Sequence, residues 1–309
     1  MSDFTNKPKI IIVAGPTASG KTEIGIKLAE VFRGEIVSAD SVQIYRRMDV
    51  GSAKPSAVDM ARAVHHMIDI RDPDEDFSAG DYVREARKCI EEIIGRGRLP
   101  IIVGGTGLYI RCLIGGMLDS SRADTLLRLR LLKEEEKAKG SLFKRLIEVD
   151  PETARCIPAG NIYRIARALE IFELTGRKMS GLKQEHAFQD RPYSYIFFGL
   201  APARSRLYEQ IDQRVDNMIK SGLIEEVARL QKLGYSADLK SMSSLGYRHI
   251  GMALTGAMDV GEATRLMKRD TRRYAKRQLT WFRSEPDIVW CDPDEIEGIR
   301  LMVNDFLGN

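Results

Sequence analysis

Apolar runs and stretches with helical periodicity alternate along the first half of the chain. Residues 10–13 form a continuous apolar run that reads as a buried strand, and Ile24, Leu28, Val31 and Phe32 then recur at helical spacing. Residues 35–41 read as a second strand, 67–70 as a short third and 99–103 as a fourth. Ser78 with Asp81 three residues on has the form of a capping box, which opens a helix through Ile94 that buries Tyr82, Ala86, Cys89, Ile90 and Ile93. From about Asp119 the strand-like runs stop, and charged helical stretches at 125–139 and 141–149 take over. Residues 163–172 are amphipathic, with Ile165, Leu169 and Phe172 on one side and Arg164 and Arg167 on another. Residues 195–200 return to strand, 207–233 read as one long helix, 264–283 as another, and 288–290 as a final strand. Strands alternating with helices predict an α/β fold with a parallel sheet flanked by helices. The expected division is a core of residues 1–118 and 195–309 with a helical insertion domain at 119–194.

Two strand ends run into glycines. Gly15-Pro16-Thr17-Ala18-Ser19-Gly20-Lys21-Thr22 satisfies G-x-x-x-x-G-K-S/T between a strand and a helix, the context that the phosphate loop of a P-loop NTPase-like core requires. Backbone N–H groups and a helix N-terminus would converge on one anion, Lys21 would neutralise it, and the Thr22 hydroxyl is the candidate ligand for Mg²⁺. Gly104-Gly105-Thr106-Gly107 ends another strand without a lysine; the glycines allow close approach and Thr106 offers a hydroxyl, a plain βα turn being the alternative. Asp40 ends the second strand at the carboxyl edge, where doubly wound sheets place their chemistry, and an N-cap or turn role is its alternative.

Bulk properties sharpen this only locally. No run approaches the roughly 18 apolar residues of a membrane span and the first residues lack a signal peptide's apolar stretch, so the cytoplasm is expected. Cys89, Cys112, Cys156 and Cys291 are isolated, which supports neither disulfides nor a zinc site. Net charge is only +4, yet 264–283 gathers Arg265, Lys268, Arg269, Arg272, Arg273, Lys276, Arg277 and Arg283 against Asp270, interleaved with Tyr274, Trp281 and Phe282. That pattern suits phosphate contacts and base stacking, with a solvated helix as the alternative. On the residues alone, a small-molecule or nucleotide kinase and a non-catalytic RNA-binding protein with a nucleotide switch stay open beside an RNA-modifying transferase.

GPTASGKT at 15–22, SADSVQIYRRMDVGSAKP at 38–55, HHMIDIRDP at 65–73, VGGTGLYI at 103–110, RALEIF at 167–172, SLGYR at 244–248 and KRQLTWFR at 276–283 together resemble the tRNA dimethylallyltransferase family. Without a Cys/His zinc finger, the chain resembles the bacterial form. The resemblance implies transfer of a dimethylallyl group from dimethylallyl diphosphate, with Mg²⁺, to N6 of adenosine 37 in tRNA; the lack of any obvious exposed apolar stripe makes a monomer the expectation, and no protein partner is implied. It implies Asp40 as general base and Thr106 as a catalytic threonine, with Lys21, Thr22 and Arg214 as diphosphate and metal contacts. By the same matching, Asp40, Ser41, Val42, Gln43 and Thr106 fall at tRNA-contacting positions, as do Arg128, Arg164 and Arg167 in the insertion. Ser243, Gly246, Tyr247 and Arg248 join them, together with Lys276, Arg277, Gln278, Trp281 and Arg283. Ser52 stands where the family often has Thr, and Tyr163 where Gln is common before Arg164.

Overall fold

The structure, a computed structural model, describes residues 7–117, 124–186 and 190–308. In chain order it begins with β1 (Lys9–Ala14), α1 (Lys21–Phe32), β2 (Gly34–Ala39), α2 (Ala57–Arg62), β3 (His65–His66), α3 (Ala79–Gly95), β4 (Leu99–Gly104) and α4 (Gly107–Gly115). Five helices follow: α5 (Thr125–Lys137), α6 (Ser141–Val149), α7 (Pro151–Cys156), α8 (Ile162–Thr175) and α9 (Met179–His186). The rest is β5 (Ser194–Leu200), α10 (Arg204–Lys220), α11 (Leu223–Lys232), α12 (Tyr247–Leu254), α13 (Val260–Phe282), β6 (Ile288–Cys291) and α14 (Ile296–Leu307).

The chain divides into two compact units, Met1–Ile114 with Pro192–Asn309, and Gly115–Arg191. The expected division at 118/119 lies outside the described residues. In the first unit all strand pairs are parallel, and the six-stranded sheet runs β3-β2-β4-β1-β5-β6. Continuous apolar strands suit such a sheet because both faces are covered. Ile10, Ile12 and Val37 feed one core with α3, α4 and the C-terminal helices, while Ile11, Val13 and Ile36 feed the other with α1 and α14. Each fully buried Ile gains roughly 1.5–3 kcal/mol on leaving water. The second unit closes its own core with Leu131, Leu142, Leu146, Ile165 and Leu169.

Several expected elements change. The strand expected at 67–70 is instead His65–His66, because Met67 and Asp69 take φ of 64° and 56°, a left-handed backbone that no strand accommodates. The single helix expected at 207–233 breaks at Ser221–Gly222, where Gly222 has φ 93° and starts α11 in a new direction. In α1 the buried side turns toward Ile26 and Ala29, leaving Val31 exposed. The capping box of Ser78 and Asp81 is present at the start of α3, with Cys89 half-buried and Val83 taking the buried place. Among the described residues no helix is long and apolar enough to cross a membrane.

Candidate active site at the phosphate loop

β1 hands the chain to a loop whose backbone turns left-handed at Ala18 and Gly20, φ 64° and 84°, before α1 begins at Lys21. Such turns gather N–H groups toward one anion at a helix N-terminus. Lys21 Nζ donates to Pro16 O at 3.1 Å. Burial pushes its ammonium down from 10.5 to about 8, the Arg214 cation adds to the fall, and Asp40 opposes it. Arg214, on α10, is likewise lowered, by burial first and against the pull of Asp40. Lys21, Thr22, Arg214 and Asp40 line one cavity of about 330 Å³, the lower end of small-molecule site volumes.

Asp40 follows β2. Its Oδ1 accepts from Val42 N at 2.8 Å and Gln43 N at 3.3 Å, an Asx-type turn. Nothing among the described residues bonds its Oδ2. Thr106 lies behind this turn and outside the cavity lining, its Oγ1 accepting from Ser41 N at 3.1 Å and its N–H donating to Ala39 O at 3.0 Å. Gln43 is held from both ends: Ser38 Oγ donates to its Oε1, and its Nε2 donates to Ala53 O at 3.1 Å. The turn at 49–51 is itself shaped from α11. Glu226, 2% exposed, accepts from Asp49 N, Val50 N and Gly51 N at 2.9–3.1 Å and from Tyr247 Oη at 2.7 Å.

The second glycine corner has a different use from the one expected. Helix α13 lies against it, and Gln278 Nε2 donates to Gly105 O at 2.9 Å while its Oε1 accepts from Thr17 N at 2.9 Å. A Cβ on Gly105 would stand 2.4 Å from Gln278 Nε2, and one on Gly107 2.2 Å from the Trp281 ring. The glycines therefore make room for α13.

This packing gives three residues expected at tRNA contacts partners within the protein. Gln278 is 7% exposed and its amide joins the two loops. Trp281 covers Gly107 with Arg111 stacked 4.2 Å from its ring centroid. Tyr247 is fully buried, with its hydroxyl on Glu226. Ser243, Arg248 and Arg277 do line the cavity as exposed residues, Arg248 donating to Asp270 at 2.8 Å and Arg277 sitting 5.7 Å from the Tyr274 centroid. Lys276 and Arg283 are exposed on α13, and Gly246, φ 90°, is the N-cap of α12. In the second unit Arg164 is exposed, whereas Arg128 and Arg167 pair with fully buried Glu170 at 2.7 Å and 3.2 Å.

The basic stretch is less one-signed than it reads. Lys268 pairs with Asp216 at 2.7 Å and Arg272 with Asp212, both acids on α10, and Arg265 pairs with Glu262. Sequence reading passed over Thr271 and took Tyr274 only as one of the aromatics interleaved with the cations; both line the cavity, one turn apart on α13. Burial, followed by Asp40, pushes the Tyr274 phenol up to about 12. The available signal was Thr271 and Gln278 as polar residues at positions with core spacing.

The IPP transferase family model matches residues 43–285. The chain belongs to that family. The match begins after the phosphate loop and Asp40, but full-length relatives extend across both. A tRNA dimethylallyltransferase 1 from Citrifermentans bemidjiense is 49% identical over 308 residues, covering 99% of this chain and 100% of its own. A tRNA dimethylallyltransferase from Geobacter sulfurreducens is 46% identical over 306 residues, 98% of each chain. Among solved structures, the tRNA isopentenylpyrophosphate transferase of Bacillus halodurans is 39% identical with TM-score 0.74, covering 98% of this chain and 97% of that one. A eukaryotic dimethylallyltransferase acting on tRNA reaches TM-score 0.84 at 28% identity, covering 98% of this chain and 80% of its own. The family's parallel-sheet core with a phosphate loop is the fold described above.

Proposed function

We propose that this chain transfers a dimethylallyl group from dimethylallyl diphosphate to N6 of adenosine 37 in tRNA, releasing diphosphate. The observation that carries this reading is one cavity whose lining includes the cations Lys21 and Arg214, the carboxylate of Asp40, and the exposed Arg248 and Arg277. The relatives' names agree with it, and tRNA as substrate makes the cytoplasm the place of work.

The N6 lone pair is delocalised into the purine, so removing its proton as the bond forms is useful, typically by about 10² to 10⁴-fold. Asp40 Oδ2, with no partner among the described residues, is the acceptor for that proton. N6 bonds to the allylic carbon as the bond from that carbon to the diphosphate oxygen breaks, and Lys21, Arg214 and the loop N–H groups stabilise the charge growing on the leaving oxygen. Val215, Met218, Leu245 and Met267 supply the apolar lining that a five-carbon chain needs. The adenine leaves its stack to reach them, at a cost of a few kcal/mol.

The donor set tests the fit of Mg²⁺. The Thr22 hydroxyl offers an oxygen ligand on the cavity wall beside the place of the diphosphate, and no group of three His, Cys, Asp or Glu gathers among the described residues. That suits Mg²⁺, which is commonly held by one or two protein oxygens plus substrate phosphates and water. When bound, the ion would neutralise diphosphate charge and favour its departure.

The deciding experiment is mass spectrometry of nucleosides digested from unmodified tRNA after incubation with the protein, Mg²⁺ and dimethylallyl diphosphate, beside an ATP-only control. Dimethylallyladenosine appearing only with the prenyl donor is expected. No adduct from tRNA that binds would overturn the reading and return the kinase and switch alternatives.

A further inference from the structure

We propose that Gln278 is a positioning residue for this transfer, whose carboxamide fixes the phosphate loop relative to the turn that carries Asp40. This rests on the function proposed above. Thr17 N–H donates to Gln278 Oε1 and Gln278 Nε2 donates to Gly105 O. The next residue, Thr106, donates from its N–H to Ala39 O and accepts at Oγ1 from Ser41 N, on either side of Asp40. An unbroken series of contacts thus runs from the diphosphate loop to the base, and Gln278 is the side chain that crosses between the two loops.

The residue type is specific to the task. One planar group must accept from an N–H and donate to a carbonyl at the same time, which a primary amide does and neither a carboxylate nor a thioether does. Reversing the amide would set N–H against N–H and oxygen against oxygen. Burial strengthens both bonds and makes an unmatched replacement costly. Reacting atoms must meet within a few tenths of an ångström, so a loop displaced by about 1 Å loses on the order of 10²-fold in rate.

The test uses the full chain with Gln278→Met, which keeps the size and removes both hydrogen bonds, and Gln278→Glu, which keeps an acceptor for Thr17. Magnesium pyrophosphate binding by calorimetry, tRNA binding by filter retention, and kcat and KM for the prenyl donor are measured on each. For Gln278→Met, pyrophosphate affinity should fall about tenfold, the loss of one to two buried hydrogen bonds, and kcat should fall by more, with tRNA affinity within about twofold of the parent. For Gln278→Glu, the rate relative to the parent should recover as pH falls, because a protonated carboxyl again donates and accepts. Unchanged pyrophosphate affinity and kcat in folded Gln278→Met would overturn the proposal, as would a loss confined to tRNA affinity, which would make Gln278 a tRNA contact. If the parent binds pyrophosphate but makes no prenylated nucleoside, the proposed function fails by itself, and the pyrophosphate comparison still decides whether Gln278 shapes the cradle.

Discussion

After β1 and again after β4 the chain passes through glycines into a helix, at neighbouring places on one sheet edge. At the first corner the left-handed residues Ala18 and Gly20 curl the backbone around space for an anion. At the second, Gly105 and Gly107 are glycines because Gln278 and Trp281 of α13 occupy the room their side chains would take. A glycine in a loop reports that something comes close. It does not report whether that something is a ligand or the protein itself, and here Gln278 answers for both corners by touching each.

Substitutions separate the two corners. The largest effect belongs to the first: Lys21→Met should cost about 10² to 10³-fold in kcat/KM with the melting temperature nearly kept, since it removes charge stabilisation of the leaving group. A loss below tenfold in single-turnover assays would deny that corner its anion. Gly107→Ala comes next. Its Cβ would meet the Trp281 ring at 2.2 Å, so a destabilisation of roughly 1–3 kcal/mol is expected by thermal melting. Gly20→Ala, with nothing nearer than 3.6 Å, should cost only the strain of a left-handed alanine, on the order of 1 kcal/mol. Equal melting shifts for the two would show that the second corner does not need its missing side chain to seat α13.

A smaller effect is one of pH. With the Lys21 ammonium at about 8, pyrophosphate affinity should decline as pH rises through that value, by calorimetry at constant ionic strength. The stability effect has the opposite sign: between about 8 and 10.5 the unfolded chain binds more protons than the folded one, so this lysine's share of stability grows with pH. Lys21→Met should flatten both. The subtlest test concerns α13, which roofs the second corner while carrying exposed cations. Lys276→Ala with Arg277→Ala should lower the salt slope of tRNA binding by about 1.5, at roughly 0.7–0.9 per phosphate contact. The same two changes at Lys268 and Arg272, paired with Asp216 and Asp212, should alter the slope less.

What could be read from the chain was what is local. The phosphate loop, the capping box at Ser78 and the apolar strands declare themselves within a few residues, and Asp40 follows from its place after β2. Long-range partners erased other expectations. The cations of α13 read as a one-signed stripe because Asp212 and Asp216 stand 60 and 52 residues before their partners. Tyr247 was expected at a tRNA-contacting position, with no local sign that Glu226, on another helix, takes its hydroxyl. Gly222 looked like any glycine in a helical pattern until its φ of 93° turned the chain. Polar Gln278 in a buried stripe was visible as an oddity, but its two partners lie 261 and 173 residues away.

That separation has a consequence in time. The phosphate loop leaves the ribosome long before α13, and its Thr17 N–H has no native partner until residue 278 emerges, 261 residues later. At about 5–20 residues per second the wait is on the order of 10 to 50 s. β1 must also hold a central place in the sheet before β5, its neighbour on one side, has been made. β1 and the phosphate loop are therefore a stretch awaiting late partners, and the loop takes its final shape only once α13 has been made.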